Sequence, residues 1–149
     1  MLRSDSNGWH MNLMDELPIS IDSPATTARA VGNALPILHE IHHALQRLLE
    51  SDETTVIDLR AIPFGPGDEA RLLEMLGKGE IVATLNALGE TRVTETSYPG
   101  VWLLDHRNPD NERIALQVEI TRIPDILCSR QEDLRDSLER LVEDLYRVA

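Results

Sequence analysis

The segment from Val56 to Pro124 constrains the fold most strongly, because it contains nearly all of the strand-forming sequence of the chain. Four strands are predicted here, over 80–85, 91–98, 101–106 and 112–120, and a further strand is predicted over 54–59. The last strand shows the clearest alternation: Ile114, Leu116, Val118 and Ile120 on one face, and Ala115, Gln117 and Glu119 on the other. Turn sequences at Pro99-Gly100 and at 108–111 separate neighbouring strands, which predicts antiparallel pairing.

Three amphipathic helices are predicted around these strands. The first runs from an N-cap at Asn33 to Glu50, and the second begins near Asp68 and is stopped by Gly77. The third follows a capping box that begins at Ser129, and its apolar residues recur at helical spacing. Those residues are Leu134, Leu138, Leu141, Val142 and Leu145. This order predicts an α+β fold, a two-layer sandwich with helices packed on one face of a mostly antiparallel sheet. The opposite sheet face is then either solvated or covered by a partner.

Length and composition narrow the class of protein. The chain has 149 residues, and we expect a flexible N-terminal segment over 1–23 and a single domain over 24–149. A formal net charge of −12 argues against nucleic acid as a partner, because phosphate binding needs clustered basic residues. A signal peptide and a membrane-spanning segment are not predicted, so we expect a cytoplasmic protein. The single cysteine, Cys128, excludes an internal disulfide and is expected to be a small buried side chain.

One motif has the form of a metal site. His39-Glu40-Ile41-His42-His43 matches H-E-x-x-H, in which two histidines one helical turn apart bind zinc and the glutamate acts as a general base. A third ligand is required, and His106 is a candidate, but its spacing matches no known arrangement. We therefore favour a solvated helix face for His39 and His43, with a metal-dependent hydrolase as the alternative. No bound cofactor is expected.

A group of residues on the predicted strands is the candidate partner-binding surface. Trp102, Leu104 and His106 alternate along one strand and share a face, and tryptophan is common at interface hot spots. Glu95 and Glu119 are polar residues inside predicted strands, and Tyr98 ends the strand that contains Glu95. We expect Trp102 to be at least partly buried, since large aromatic residues dominate core area. The sheet face around it is expected to be exposed to a partner.

Five short motifs, in this order and spacing, resemble one known family. They are Ile57-Asp58-Leu59-Arg60, Gly65-Pro66-Gly67-Asp68, Leu76-Gly77-Lys78-Gly79-Glu80, Pro99-Gly100-Val101-Trp102 and Arg122-Ile123-Pro124. The chain resembles the HupH/HyaF family of hydrogenase expression proteins over residues 33–128, and its length is similar to the short single-domain members of the HupJ or HoxT type.

The resemblance implies a non-enzymatic, chaperone-like accessory protein for the maturation of uptake [NiFe] hydrogenase. Its implied partners are the iron–sulfur small subunit or its precursor and other hydrogenase accessory proteins. A homodimer is possible on this interpretation. A self-associating structural domain without a client is a further alternative, and it would bury the sheet face in a stable oligomer.

Overall fold

Five antiparallel strands form one sheet in the order β1-β5-β4-β3-β2 in the computed structural model, which describes residues 32–149. The helices are α1 (Ala34–Ser51), α2 (Asp68–Leu76) and α3 (Gln131–Val148). The strands are β1 (Thr55–Asp58), β2 (Val82–Asn86), β3 (Glu90–Glu95), β4 (Val101–Arg107) and β5 (Arg113–Ile120). Short 3-10 turns occupy Leu59–Ala61 and Asp125–Leu127. The predicted α+β class and all five predicted strands are confirmed, with shifts of a few residues at strand ends.

The main core lies between α1, α2 and one side of the sheet, which we call the helix face. Alternating residues of β5 (Leu116, Val118 and Ile120) supply this side of the core, as their sequence pattern predicts. From α1, residues Ala34, Ile37, Ile41, Ala44 and Leu48 pack against them. Their 3-4 spacing places one stripe of the helix toward the sheet, so burial of that stripe fixes the position of α1.

The other side of the sheet, the outer face, is covered by the chain itself. Val93, Trp102 and Leu104 form a second buried cluster here, and Leu127 packs against it. The covering segment, which we define as Thr121–Cys128, includes the fully buried Pro124 and the second 3-10 turn. The expectation that this face is open to solvent or to a partner is wrong for the part around Trp102, because the segment after β5 folds back across it.

The third helix forms where the sequence predicts it but does not join the sandwich. Within residues 32–149 no α3 side chain is buried, although the helix has 18 residues and a clear apolar stripe. The predicted capping box is wrong: the N-cap position is Arg130, one residue after Ser129, and neither α3 nor α1 has a side-chain cap among the described residues. Among those residues no helix is both long enough and apolar enough to cross a membrane.

The first turn of α2 is tied to the start of α1. The Asp68 carboxylate is buried, and its Oδ2 accepts hydrogen bonds from the Gly65 amide at 2.9 Å and from Asn33 Nδ2 at 3.4 Å. Asn33 Nδ2 also donates to the Pro63 carbonyl at 2.7 Å. Asn33 therefore joins two helices rather than capping its own. The predicted N-terminal segment 1–23 and its boundary lie outside the described residues.

Candidate interaction surface

The register of β3 and β4 brings the predicted surface residues together. Glu95 lies opposite Trp102, which lies opposite Glu119, and Val93 lies opposite Leu104. His106 lies opposite Thr91, and its Nδ1 is 3.0 Å from the Thr91 hydroxyl. All of them belong to the outer face. The predicted sharing of one face by Trp102, Leu104 and His106 is confirmed.

Trp102 and Leu104 are part of the core of this face. Their exposed fractions are 4% and 3%, so the expected burial of Trp102 is confirmed. The indole Nε1 donates a buried hydrogen bond to the Thr121 carbonyl at 3.1 Å. An indole N–H needs such a partner when the ring is buried, and here the partner belongs to the covering segment. The ring therefore holds that segment on the sheet, and neither side chain is available as surface in this conformation.

Glu119 adds a buried carboxyl group to the outer face. Burial raises the pKa of this carboxyl above its ordinary value, and the negative charge of Asp125 adds to the shift. The Asp125 backbone amide and the nearby His106 act in the opposite direction. Glu119 is buried, with only 8% of the residue exposed. It is poorly placed to meet a partner.

One open surface lies at the end of the sheet where β3 turns into β4. A groove of about 460 Å³ is formed here between the second half of α1 and this turn. Its lining is mostly apolar, with Leu45, Leu48, Leu49, Glu95, Pro99, Gly100 and Arg122 contributing. Leu49 is 82% exposed, and the neighbouring Tyr98 is 50% exposed. Glu95 and Tyr98 are thus the two predicted surface residues at this end of the sheet.

The turn beside the groove is held by local hydrogen bonds. The Thr96 side chain is buried, and its hydroxyl is 3.2 Å from both the carbonyl and the amide nitrogen of Tyr98. Gly100 has a φ of 90°, in the left-handed region that glycine adopts without strain. A Cβ built on Gly100 would meet Leu45 and Leu48 at 3.6 and 3.7 Å. These are ordinary contact distances, so the positive φ rather than the space beside α1 favours glycine here, and the turn presents Tyr98 from a fixed backbone.

Three of the five motifs meet at this end of the sheet. Pro99 and Gly100 belong to P-G-V-W, Arg122 belongs to R-I-P, and Gly79 belongs to L-G-x-G-E. The Gly79 amide donates to the Glu95 carbonyl at 2.7 Å, and a Cβ on Gly79 would come within 2.5 Å of the Thr96 carbonyl oxygen. This close approach explains why glycine is required there. The residues that carry the family resemblance therefore build the groove and its support.

One ion pair marks the rim of the groove. Arg122 Nε lies 2.7 Å from Asp52 Oδ1, and both side chains are largely exposed. Exposed pairs of this kind contribute little to stability. Glu95 and Arg122 also line the groove, so its apolar lining is accompanied by charged groups of both signs. This arrangement suits an apolar side chain of a protein partner whose neighbours are polar.

The H-E-x-x-H motif lies on an exposed face of α1. His39 and His43 are both exposed, and His43 Nδ1 is 3.2 Å from Gln46 Oε1. The proposed third ligand, His106, is on the outer face of the sheet, opposite the helix face on which α1 packs. Within residues 32–149, no three His, Cys, Asp or Glu side chains are close enough to hold a metal ion. The described residues give the hydrolase alternative no support.

Two groove residues and one cysteine differ from what the sequence suggested. Helical spacing predicts that Leu49 belongs to the apolar stripe of α1, yet Leu48 and Leu49 are adjacent, so only one of them can follow the buried stripe. That adjacency is the sequence signal for an exposed leucine. Arg122 has no such signal, because its position depends on how the chain leaves β5. The expected burial of Cys128 is wrong: the residue is exposed at the end of the covering segment.

Known proteins match this chain over most of its length. The family model described as HupH hydrogenase expression protein, C-terminal conserved region, matches residues 31–148. The hydrogenase expression/formation protein HoxQ of Azotobacter vinelandii is 36% identical over 113 residues, which cover 74% of this chain and 40% of that protein. The hydrogenase expression/formation protein HupH of Rhodobacter capsulatus is 33% identical over 93 residues, which cover 62% of this chain and 34% of that protein. The chain thus spans about two fifths or less of these curated relatives.

A solved structure matches as well. The hydrogenase expression protein HupH from Thiobacillus denitrificans superposes with a TM-score of 0.75 at 38% identity, covering 78% of this chain and 97% of that one. The narrower assignment to short HupJ- or HoxT-like members stays a prediction. The motifs and the fold that carries them agree with the family model over residues 31–148, and the chain therefore belongs to the HupH family of hydrogenase expression proteins.

Proposed function

We propose that this chain is an accessory protein of hydrogenase maturation that acts by binding in the cytoplasm and performs no chemistry itself. Its client is the iron–sulfur small subunit of an uptake [NiFe] hydrogenase, or the precursor of that subunit. Membership of the HupH family carries the proposal, because the matching relatives are named as hydrogenase expression or formation proteins. Other accessory proteins of the same process are further partners.

The groove beside Tyr98 is the proposed contact for the client. It offers an apolar floor and an exposed leucine, Leu49, that the packing of residues 32–149 does not bury. Exposed apolar surface of this kind is typical of protein interaction sites. Tyr98 stands beside the groove on a turn that hydrogen bonds hold fixed, so little conformational entropy is lost when it contacts a partner.

Charge assists this binding without determining it. The chain has a net charge of −12, which steers encounter with a basic surface and weakens as salt screens it. The groove itself is lined mainly by apolar residues, so the affinity depends on apolar burial more than on ion pairs. Raising the salt concentration is therefore expected to slow association more than it speeds dissociation.

Purified small-subunit precursor and the full chain provide the test. Leu49→Gln removes an exposed apolar contact without changing charge, and we expect it to raise the Kd for the precursor by about tenfold, since burying a leucine is worth about 1.5–3 kcal/mol. Binding is measured by biolayer interferometry with the precursor immobilised.

Leu88→Gln is the matched control. Leu88 is 96% exposed at the β2–β3 turn, which lies at the opposite end of β3 from the groove. This variant is expected to bind as the wild type does. Equal Kd values for all three proteins would reject the groove as the contact, and the absence of any binding by the wild-type chain would reject the client.

A further inference from the structure

Most of the apolar residues of α3 form a seam along one side of the helix, with Val142 beside it. Leu134, Leu138, Leu141, Leu145 and Val148 follow one another at spacings of 4, 3, 4 and 3 residues. This is the a/d pattern of a coiled coil, with a period of 3.5 residues. The exposed fractions of the leucines run from 53% for Leu134 to 64% for Leu138. Such a seam specifies a second helix as its neighbour, and the sandwich of residues 32–130 does not provide one.

The charges of α3 are arranged to leave the seam free. In the same heptad frame, Glu132, Asp133, Asp136, Glu139 and Glu143 fall at the outer b, c and f positions. The positions that flank the seam hold Arg130, Arg135, Ser137, Val142 and Asp144. Although the chain is strongly acidic, its acidic groups therefore point away from a helix packed on the seam, with Asp144 as the exception. Two copies can pair here without bringing their acidic faces together.

We propose that α3 pairs with α3 of a second copy of this chain in an antiparallel two-helix interface. This proposal is independent of the hydrogenase client. In this arrangement Leu134 lies level with Leu145 of the second copy, and Leu138 lies level with Leu141 of the second copy. Each seam leucine then meets another leucine, so the interface is self-complementary, as two-fold symmetry requires.

The flanking charges favour the antiparallel orientation. A parallel pair would place Arg130 against Arg135 of the second copy, which is a repulsive contact at flanking positions. The antiparallel pair instead places Ser137 near Asp144 of the second copy and Arg135 near Val142 of the second copy. It also opposes the two helix dipoles. Finally, it puts the two acidic sandwiches at opposite ends of the paired helices, which reduces their repulsion.

Sedimentation equilibrium of the full chain over a range of concentrations tests the pairing. We expect a mass of twice 16.7 kDa at the upper concentrations. Leu138→Gln should raise the dimer dissociation constant by at least about tenfold, because each dimer loses two buried leucines. Tyr146→Gln is the matched control: Tyr146 is 81% exposed on α3 but outside the seam, so this variant should dimerise as the wild type does.

Orientation is tested by spin labels at position 132, introduced as Glu132→Cys in a Cys128→Ser background. In the antiparallel pair the two labelled backbones lie about 22 Å apart along the helix axis, at 1.5 Å per residue. In a parallel pair they are separated only by the interaxial distance of about 10 Å. The short distance would overturn the antiparallel arrangement.

Three results would overturn the pairing itself. The first is that the chain stays monomeric at all concentrations, whether or not it binds a helix of another protein. Another is a dimer that Leu138→Gln leaves unchanged, which would place the interface elsewhere. The last is a monomer that Leu138→Gln destabilises against denaturant, because the seam would then be covered within its own chain.

Discussion

At the scale of single residues, Trp102 contributes to the core of the protein rather than to a binding surface. Its ring is buried and its Nε1 donates to the Thr121 carbonyl, so Trp102→Ala should lower the free energy of unfolding by about 3–5 kcal/mol. Trp102→Phe keeps most of the packing and should cost about 1 kcal/mol through the lost hydrogen bond. Urea denaturation followed by circular dichroism measures both. Tyr98→Ala, at a half-exposed aromatic residue, is the control and should leave the unfolding midpoint nearly unchanged. A Trp102→Ala protein of full stability would show that the ring is not part of the core.

Glu119 gives a pH-dependent prediction. Burial raises the pKa of its carboxyl in the folded state, so the folded protein holds this proton more tightly than the unfolded chain does. The stabilisation is present at low pH and is lost as the pH rises through the folded-state pKa. Glutamine does not ionise, so the Glu119→Gln variant does not lose stability in this way. The free energy of unfolding of the variant minus that of the wild type should therefore increase from about pH 4 to about pH 7.

Asp105 is a control, because its stabilisation is expected to depend on pH in the opposite direction. Burial favours its neutral form, but the hydrogen bonds and charges of Arg113 and Arg107 outweigh burial and lower the pKa of Asp105. Its stabilisation is present above the ordinary carboxyl pKa and is lost as the pH falls. Asp105→Asn should therefore lose stability relative to wild type as the pH rises through the acidic range. Denaturation midpoints measured across this range give both slopes, and parallel slopes for the two variants would contradict the assignment.

At the scale of elements, periodicity predicted what forms but not what each element packs against. Alternation along β5 correctly marks Leu116, Val118 and Ile120 as core residues, whereas Ile114 on the same predicted face is 57% exposed. The apolar spacing of α1 correctly predicts an amphipathic helix that includes Ile41 and Leu48, but its buried stripe also uses the small residues Ala34 and Ala44. The covering segment Thr121–Cys128 has no periodic pattern, so its position over Trp102 could not be predicted. In α3 the same kind of pattern correctly predicted an amphipathic helix, yet residues 32–149 leave the apolar side of that helix exposed.

The residues that line the groove were likewise only partly predictable from the sequence. Glu95 and Tyr98 were identified from strand and turn positions, whereas Leu49 and Arg122 come from elements distant in sequence. Their meeting depends on how α1 lies across the turn at Gly100 and how the chain leaves β5. Such long-range geometry is set by packing, which sequence patterns do not encode. The motifs that indicated the family nevertheless marked this end of the sheet.

At the scale of the whole molecule, the described residues 32–149 form one sandwich and leave an apolar groove and an apolar helix seam exposed on separate elements. The groove lies between α1 and the β3–β4 turn, and the seam lies on α3. We infer that they serve different partners, a client at the groove and a second copy at the seam. A dimer would then present two grooves, and two linked sites bind a multivalent client more tightly than one site does.

The measurement that tests the central claim most directly is an affinity pull-down of the tagged full chain from its native host, grown under conditions that induce hydrogenase synthesis. Captured proteins are identified and quantified by mass spectrometry, with the Leu49→Gln chain processed in parallel. We predict recovery of the hydrogenase small subunit or its precursor with the wild-type chain, and several-fold less with Leu49→Gln. Recovery of no hydrogenase component, while the enzyme is being made in the same cells, would contradict the proposed role in maturation.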